Sequence, residues 1–162
     1  MTSNKEKNTT TFVKVGKILA LYYASDKQTL NVKALSLDEK GVLHDKHYDK
    51  DLQRSVLIAS QDSYTLASNH DIKMPNCALG ENILMDYNPY HLVPGSKIMI
   101  GELLLEISQN CTLCKGLANV NPKLPKLLKK DRGIFAKVLS SGTIYLNDSI
   151  YIEKSLTNQR ST

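Results

Sequence analysis

Alternating apolar and polar positions recur along most of the chain and predict short β-strands. The segment TFVKVGKILALYY (11–23) is rich in β-branched and aromatic residues and predicts one or two strands joined near Gly16. QTLNVKALSL alternates up to the turn residues DEKG, and RSVLIAS predicts a short buried strand. Two hairpins are predicted, the first turning at Gly101 and the second at Ser141-Gly142.

Helical signals are fewer than strand signals. Ser60 is a good N-cap for a short helix through about Ser68. CKGLANVNPKLPKLLKK predicts one or two helices interrupted by Pro122 and Pro125. Many short strands with few helices predict a mainly β fold, a closed or nearly closed antiparallel β-barrel with two or three short helices.

The length of 162 residues fits one domain, which we expect over 12–154 between a disordered N-terminal tail (1–11) and a C-terminal tail (155–162). No apolar run approaches the roughly 18–20 residues that cross a membrane. The polar N-terminus lacks the apolar segment of a secretory signal, so a cytoplasmic protein is expected. The odd number of cysteines, three, favours reduced thiols.

The net charge of +5 is unevenly distributed. The segment NPKLPKLLKKDRGIFAK (121–137) carries many basic residues, among them Lys130 and Arg132, and the single acid Asp131. It is either a solvated basic face or a site for an anion such as a phosphate. Nucleic acid is not expected as a partner, because Phe135 is the only aromatic residue in the segment.

Two loops carry candidate chemistry. In GVLHDKHYDKDLQR, Asp45 stands between His44 and His47, a pattern that fits a metal site or a catalytic base as well as an ordinary polar loop. In GENI (80–83), glycine permits a tight turn next to a glutamate and an asparagine. Taken alone, GENI predicts only a turn.

Cys111 and Cys114 are spaced as CxxC, a spacing that occurs in redox motifs and in zinc sites. A thioredoxin-like motif requires a βαβ context that is absent from the pattern. A zinc site would need further ligands such as Cys77. A single reactive thiol is favoured by the adjacent Lys115 and the basic segment, which stabilise a thiolate. A buried, inert cysteine remains the alternative.

Taken in order, these pieces resemble the MOSC domain family, named for the C-terminal region of molybdenum cofactor sulfurases. The resemblance covers about residues 12–152 and rests on five motifs. They are the loop pattern GxxxDxH with R-x-V-L (Gly41, Asp45, His47, Arg54, Val56, Leu57), GENI (Gly80 to Ile83), PGSKIMIGELLLEIS, the cysteine eight residues after Glu106, and RGIFAKVLSSGTIYLND (132–148). The family's usual glycines are replaced by His44 and Asn147, and Asn147 tolerates a left-handed backbone.

The resemblance implies a β-barrel and assigns the functional thiol to Cys114, with Cys111 in a variable position. In this family the cysteine is proposed to carry a persulfide to molybdenum cofactor (molybdopterin with its molybdenum ion) or to ligate molybdenum as a thiolate. Phosphate and oxo groups would pair with Arg54, Lys130 and Arg132. The pocket would be lined by Asp45, His47, Glu81 and Asn82.

Three functions follow from the resemblance: sulfur transfer, reduction of N-hydroxylated compounds, and non-catalytic cofactor delivery. The chain has no pyridoxal-phosphate domain, so we expect this stand-alone domain to receive sulfur from a separate cysteine desulfurase. A molybdoenzyme or an electron-transfer protein is expected as a further partner. A zinc-stabilised domain that uses the three cysteines is a fourth, independent possibility.

Overall fold

The computed structural model describes residues 10–112 and 116–155. Its elements, in chain order, are β1 (Thr10–Ala24), β2 (Thr29–Val32), β3 (Ala34–Asp38), β4 (Gly41–Val42), a 3-10 helix (Leu52–Arg54), β5 (Val56–Ser60), α1 (Gln61–Asn69), β6 (Ile83–Met85), β7 (Lys97–Ile100), β8 (Leu103–Asn110), α2 (Leu117–Val120), α3 (Leu124–Leu127), β9 (Ile134–Ser140), β10 (Gly142–Tyr145) and β11 (Ser149–Ser155). The predicted tails therefore lie mostly outside the described residues, although Thr10, Thr11 and Ser155 belong to strands.

Seven of the described strands close into a barrel, which confirms the predicted fold class. Around the ring their order is β11-β7-β8-β9-β5-β6-β1, and the pairing of β1 with β11 completes the circle. Strand β2 extends the sheet beyond β1. Closure gives each strand of the ring two neighbours, so the ring has no open edge.

The long strand β1 has several partners and bends to reach them. Its first half pairs with β11, and its second half pairs with β6 and β2. The register with β11 shifts between Lys14 and Gly16. A Cβ atom at Gly16 would clash with Oδ1 of Asp86, which accepts a hydrogen bond from the N–H of Lys17 at 2.8 Å. The predicted junction near Gly16 is thus an irregularity within one continuous strand.

The hairpin predicted at Gly101 is confirmed, because β7 and β8 pair antiparallel on either side of it. The hairpin predicted at Ser141-Gly142 is wrong. Strand β10 pairs with β3, in a separate sheet of order β10-β3-β4. The pairing with β3 places Ile144 of β10 opposite Leu35 of β3, and both side chains are buried in the barrel core.

The predicted helices are present. Ser60 caps α1, with its Oγ accepting from the N–H of Asp62 at 3.0 Å. Strands β5 and β6 are parallel, an exception to the antiparallel pattern, so the chain crosses between them through α1. Pro125 lies in the first turn of α3, where its missing N–H costs nothing. None of the helices that the structure describes is long and apolar enough to cross a membrane.

Apolar residues form one core inside the barrel and a second core under the helices. The barrel core includes Ile58, Ile83 and Leu105, all fully buried. In the second cluster, buried residues of all three helices pack together with Ala59 of β5. Strand β5 is buried on both faces, as the apolar run RSVLIAS predicted, and it separates the two cores.

Candidate functional site

A pocket of about 660 Å³ lies against the outer face of β5. Its apolar floor is a small buried cluster of Leu57, Cys111 and Phe135. Leu57 faces outward because the side chains alternate along a strand and its neighbours Val56 and Ile58 point into the barrel core. The walls come from residues 45–55, residues 77–82 and the end of β1. An apolar floor with convergent polar walls is typical of a small-molecule site.

The pocket brings together most of the residues that the sequence singled out. The two loops that carry GxxxDxH and GENI are far apart in the sequence, yet both border the parallel pair β5 and β6. The predicted residues on the pocket surface are Asp45, His47, Arg54, Glu81 and Asn82. The barrel topology therefore brings residues of separate sequence motifs together in one pocket.

Asp45 organises the first loop. It is 7% exposed, and its Oδ1 accepts from the N–H of Ala24 at 2.8 Å. Its Oδ2 accepts from the N–H of His47 at 3.0 Å and lies 3.1 Å from Nδ1 of the same ring. His44, just before it, has a φ of 72°, the left-handed conformation that a glycine would favour. Asp45 thus holds the loop and orients His47, whose side chain is exposed.

Asn82 links β5 to β1 at the edge of the pocket. Its side-chain Oδ1 accepts from the N–H of Leu57 at 3.0 Å, and its Nδ2 donates to the carbonyl of Tyr22 at 3.2 Å. Its own N–H donates to the carbonyl of Leu57 at 2.8 Å. The Asn82 side chain therefore makes the hydrogen bonds to the backbone of Leu57 and Tyr22 that a neighbouring strand would otherwise make.

Glu81 is 1% exposed and lies on the pocket wall. Its Oε2 accepts from the hydroxyl of Tyr64 on α1 at 2.7 Å, while its Oε1 has no hydrogen-bond partner among the described residues. Burial raises the pKa of the Glu81 carboxyl, although the Tyr64 hydroxyl and nearby backbone N–H groups oppose the shift. Burial and the adjacent carboxyl also raise the pKa of Tyr64. A buried acid with an unpaired oxygen is unusual in a folded protein, and it makes Glu81 a candidate functional residue.

Cys77 places a thiol on the same wall. Its φ is 60°, unusual for a residue other than glycine, and the N–H of Ala78 donates to the carbonyl of Pro75 across this turn at 3.1 Å. Its Sγ donates to the carbonyl of Glu81 at 3.2 Å. Burial, and then the Glu81 carboxyl, raises the pKa of this thiol to about 12. Cys77 is therefore a neutral thiol at physiological pH, with little nucleophilic character.

Lys46, Lys50 and Arg54 give the pocket a positive rim. None of these three cations forms an ion pair with a residue that the structure describes. The Arg54 guanidinium lies over the ring of Phe135, 4.6 Å from its centroid. This contact orients Arg54 and leaves its N–H groups available to an anion.

The two predicted cations of the basic segment lie elsewhere. Lys130 is exposed and Arg132 is partly buried, and neither is among the residues that line the pocket. Arg132 donates through Nη1 to the carbonyl of Thr112 at 2.6 Å and through Nη2 to the carbonyl of Pro125. Arg132 therefore links the backbone just after Cys111 to α3.

Cys114 lies outside the described residues, but the start of its motif is well placed. Cys111 is 5% exposed, contributes to the pocket floor, and its N–H donates to the carbonyl of Gly133 at 2.9 Å. The CxxC motif thus begins at the pocket. Within the described ranges, His, Cys, Asp and Glu form no group of three that is placed to hold a metal ion.

Four residues at the pocket were not predicted in these positions: Lys46, Lys50 and Cys77, which line it, and Tyr64, which donates to Glu81. The two lysines stand in the same loop as Asp45 and His47, so the loop's basic character was a usable signal. For Tyr64 no sequence signal existed, because its role depends on α1 packing beside Glu81.

Comparisons with known proteins agree with this architecture. Among solved structures, the chain resembles the YuaD protein from Bacillus subtilis with a TM-score of 0.74 and 20% identity, over 91% of this chain and 98% of that one. It also resembles YiiM from Escherichia coli, with a TM-score of 0.64 and 16% identity over 84% of this chain and 69% of that one. At these identities the likeness shows a shared fold. No curated protein matches the sequence significantly. The profile of the MOSC domain matches residues 41–151, well over half of the chain, and the chain therefore belongs to the MOSC domain family.

Proposed function

We propose that this domain binds molybdenum cofactor and transfers sulfur through a persulfide on Cys114. The observation that supports this most is the pocket itself. It joins the motif residues Asp45, His47 and Glu81 to an apolar floor at which the CxxC motif begins. Family membership supplies the chemical context.

The residues present fit a phosphorylated pterin. The apolar floor suits the face of a flat ring. The rim cations Lys46, Lys50 and Arg54 suit a phosphate or oxo group. When bound, the cofactor supplies a metal that takes sulfur as a soft ligand. A single cysteine thiolate would suffice as the protein ligand.

The loading of sulfur onto Cys114 balances without an added oxidant or reductant. The Cys114 thiol loses its proton, and the thiolate attacks the outer sulfur of a persulfide on a separate cysteine desulfurase. The sulfur–sulfur bond of the donor breaks, the donor cysteine leaves as a thiolate, and Cys114 becomes the persulfide. Passing the outer sulfur to the cofactor as sulfide is a separate step that needs two electrons, which a second thiol would supply by forming a disulfide with Cys114. A molybdoenzyme would then receive the sulfurated cofactor.

Intact mass spectrometry tests the proposal. The wild-type protein is incubated with a cysteine desulfurase and cysteine, beside the variants Cys114→Ser, Cys111→Ser and Cys77→Ser. We expect a mass gain of one sulfur atom that is lost only in Cys114→Ser. An adduct that persists in Cys114→Ser would refute the assignment of the thiol.

The same samples separate sulfur transfer from permanent metal ligation. If no variant gains sulfur, while molybdenum co-purifies with the wild type and not with Cys114→Ser, the cysteine is a metal ligand. That outcome would favour the reduction of N-hydroxylated compounds with an electron-transfer partner.

A further inference from the structure

Four exposed lysines surround the short helix α3, and we call them the lysine surface: Lys123, Lys126, Lys129 and Lys130. None of the four forms an ion pair with a residue that the structure describes. Asp131 is the single acid between residues 121 and 137, and it is half-buried. The lysine surface therefore carries a net positive charge.

The lysine surface is fixed to the domain. Leu124 and Leu128 are fully buried in the core under the helices, and the N–H of Leu128 donates to the carbonyl of Leu124 at 2.8 Å. Because residues i and i+4 lie on one face of a helical turn, burying these two leucines leaves the neighbouring lysines in solvent. Grouped charges of this kind attract an oppositely charged surface over about 8 Å at physiological ionic strength.

The lysine surface adjoins the start of the CxxC motif. Arg132 donates to the carbonyls of Thr112 and Pro125, so it links α3 to the residue that follows Cys111. Cys111 in turn forms part of the pocket floor. A protein that contacts the lysine surface would therefore be held beside the motif that is proposed to carry sulfur.

The composition of the lysine surface favours an acidic protein as its partner. Lysines attract an anionic surface as point charges, without the planar, bidentate geometry by which arginine selects single oxyanions. A membrane-binding helix presents a wide apolar face, whereas α3 has four residues and its leucines are buried or half-buried. Single-stranded nucleic acid is bound by exposed aromatic side chains, and the one aromatic residue between 121 and 137 is the buried Phe135.

We propose that the lysine surface docks an acidic surface of the protein that delivers sulfur, a cysteine desulfurase that carries a persulfide. This inference rests on the proposed function, in which a separate protein loads Cys114. Charge attraction speeds the encounter of the two proteins and weakens as salt is added, because exposed charges are screened. Docking adds no chemical step, since the Cys114 thiolate still attacks the outer sulfur and the donor cysteine still leaves as a thiolate.

The experiment compares two sulfur donors by the rate at which the protein gains the sulfur atom that Cys114→Ser does not gain, measured by intact mass. One donor is the cysteine desulfurase of the same organism with cysteine. The other is the small molecule cysteine persulfide, which presents no protein surface.

Two variants that lose the same charge are compared with the wild type. The test variant combines three substitutions in the lysine surface: Lys126→Gln, Lys129→Gln and Lys130→Gln. The matched control combines three substitutions of exposed lysines on or beside β1 and β2: Lys14→Gln, Lys17→Gln and Lys33→Gln. Because each variant loses three positive charges, a difference between them reports the position of the charges.

We expect the desulfurase to load the test variant at least about tenfold more slowly than the wild type at low salt, and the control variant within about twofold of the wild type. Added salt should slow the wild type towards the test variant. Cysteine persulfide should load all three proteins at the same rate. Equal desulfurase rates for the test and control variants overturn the inference. A loss that appears with both donors also overturns it, because the lysines then act on the thiol and not on docking.

The remaining outcomes separate this inference from the proposed function. If cysteine persulfide loads the wild type and the desulfurase does not, docking is refuted and Cys114 remains the sulfur carrier. If neither donor loads the wild type, the proposed function fails and the inference fails with it. Sedimentation with vesicles of phosphatidylglycerol and phosphatidylcholine, lost in a test variant whose desulfurase rate is unchanged, would assign the lysine surface to a membrane and overturn the inference.

Discussion

Replacing Asp45 with asparagine tests whether this residue organises the pocket loop. The substitution preserves size and shape but turns one carboxylate oxygen into an NH₂ group. Each oxygen of Asp45 accepts a backbone hydrogen bond, from Ala24 at 2.8 Å and from His47 at 3.0 Å. Whichever way the asparagine amide is oriented, one of these N–H groups loses its acceptor.

The magnitude follows from these contacts. Asp45 is 7% exposed, so water replaces the lost acceptor poorly. The two donors belong to the partly buried Ala24 and the exposed His47, so the lost bond costs toward the lower end of about 1–3 kcal/mol, and the remaining bonds weaken because the acceptor is no longer charged. We expect a loss of about 1.5 kcal/mol in the free energy of unfolding, which corresponds to roughly 3–6 °C in Tm for a chain of this size.

Urea denaturation measures this loss, with the slope m as a check that the unfolded state is unchanged. Asp51→Asn is the matched control, because Asp51 is exposed and caps the 3-10 helix through the N–H of Gln53 at 3.1 Å. Asparagine caps a helix as well as aspartate, so the control should stay within about 0.5 kcal/mol of the wild type. If the urea midpoint of Asp45→Asn equals that of the wild type, the hydrogen bonds of Asp45 do not stabilise the loop.

Three further predictions concern the backbone, the buried acid and the rim. Gly133→Ala should lower the free energy of unfolding by roughly 2–4 kcal/mol, because its φ is 128° and a Cβ would lie 3.2 Å from the Ile58 carbonyl oxygen. Gly101→Ala, with φ of 60° and open space around it, should cost only about 1 kcal/mol in the same urea assay. Burial raises the pKa of the Glu81 carboxyl above its ordinary value of 4.5, so at a pH between the unfolded and folded pKa values the native state binds more protons than the unfolded state. The free energy of unfolding should therefore fall as the pH rises from the unfolded pKa to the folded pKa. Urea midpoints between about pH 5 and pH 8 should show this fall in the wild type and less of it in Glu81→Gln, and identical profiles would contradict it. Arg54→Gln should weaken the binding of a phosphorylated pterin about tenfold without affecting unphosphorylated pterin, as measured by fluorescence titration.

Local patterns determined much of this protein from the sequence alone. Strand alternation, the Ser60 cap and the turn at Gly101 depend on neighbouring residues, and all three appear in the structure. Asn147 adopts the expected left-handed backbone, with a φ of 72°. The order of the motifs also identified the MOSC family, since motif order is a property of the sequence itself.

Tertiary structure decided everything that depends on what a residue packs against. The false hairpin at Ser141-Gly142 arose because the sequence does not show that Ile144 of β10 packs in the barrel core opposite Leu35 of β3. The two backbone contacts of Arg132 also depend on tertiary structure, since α3 and the segment after β8 converge on its guanidinium. The unused oxygen of Glu81 likewise exists only because α1 places Tyr64 beside one oxygen and burial removes water from the other.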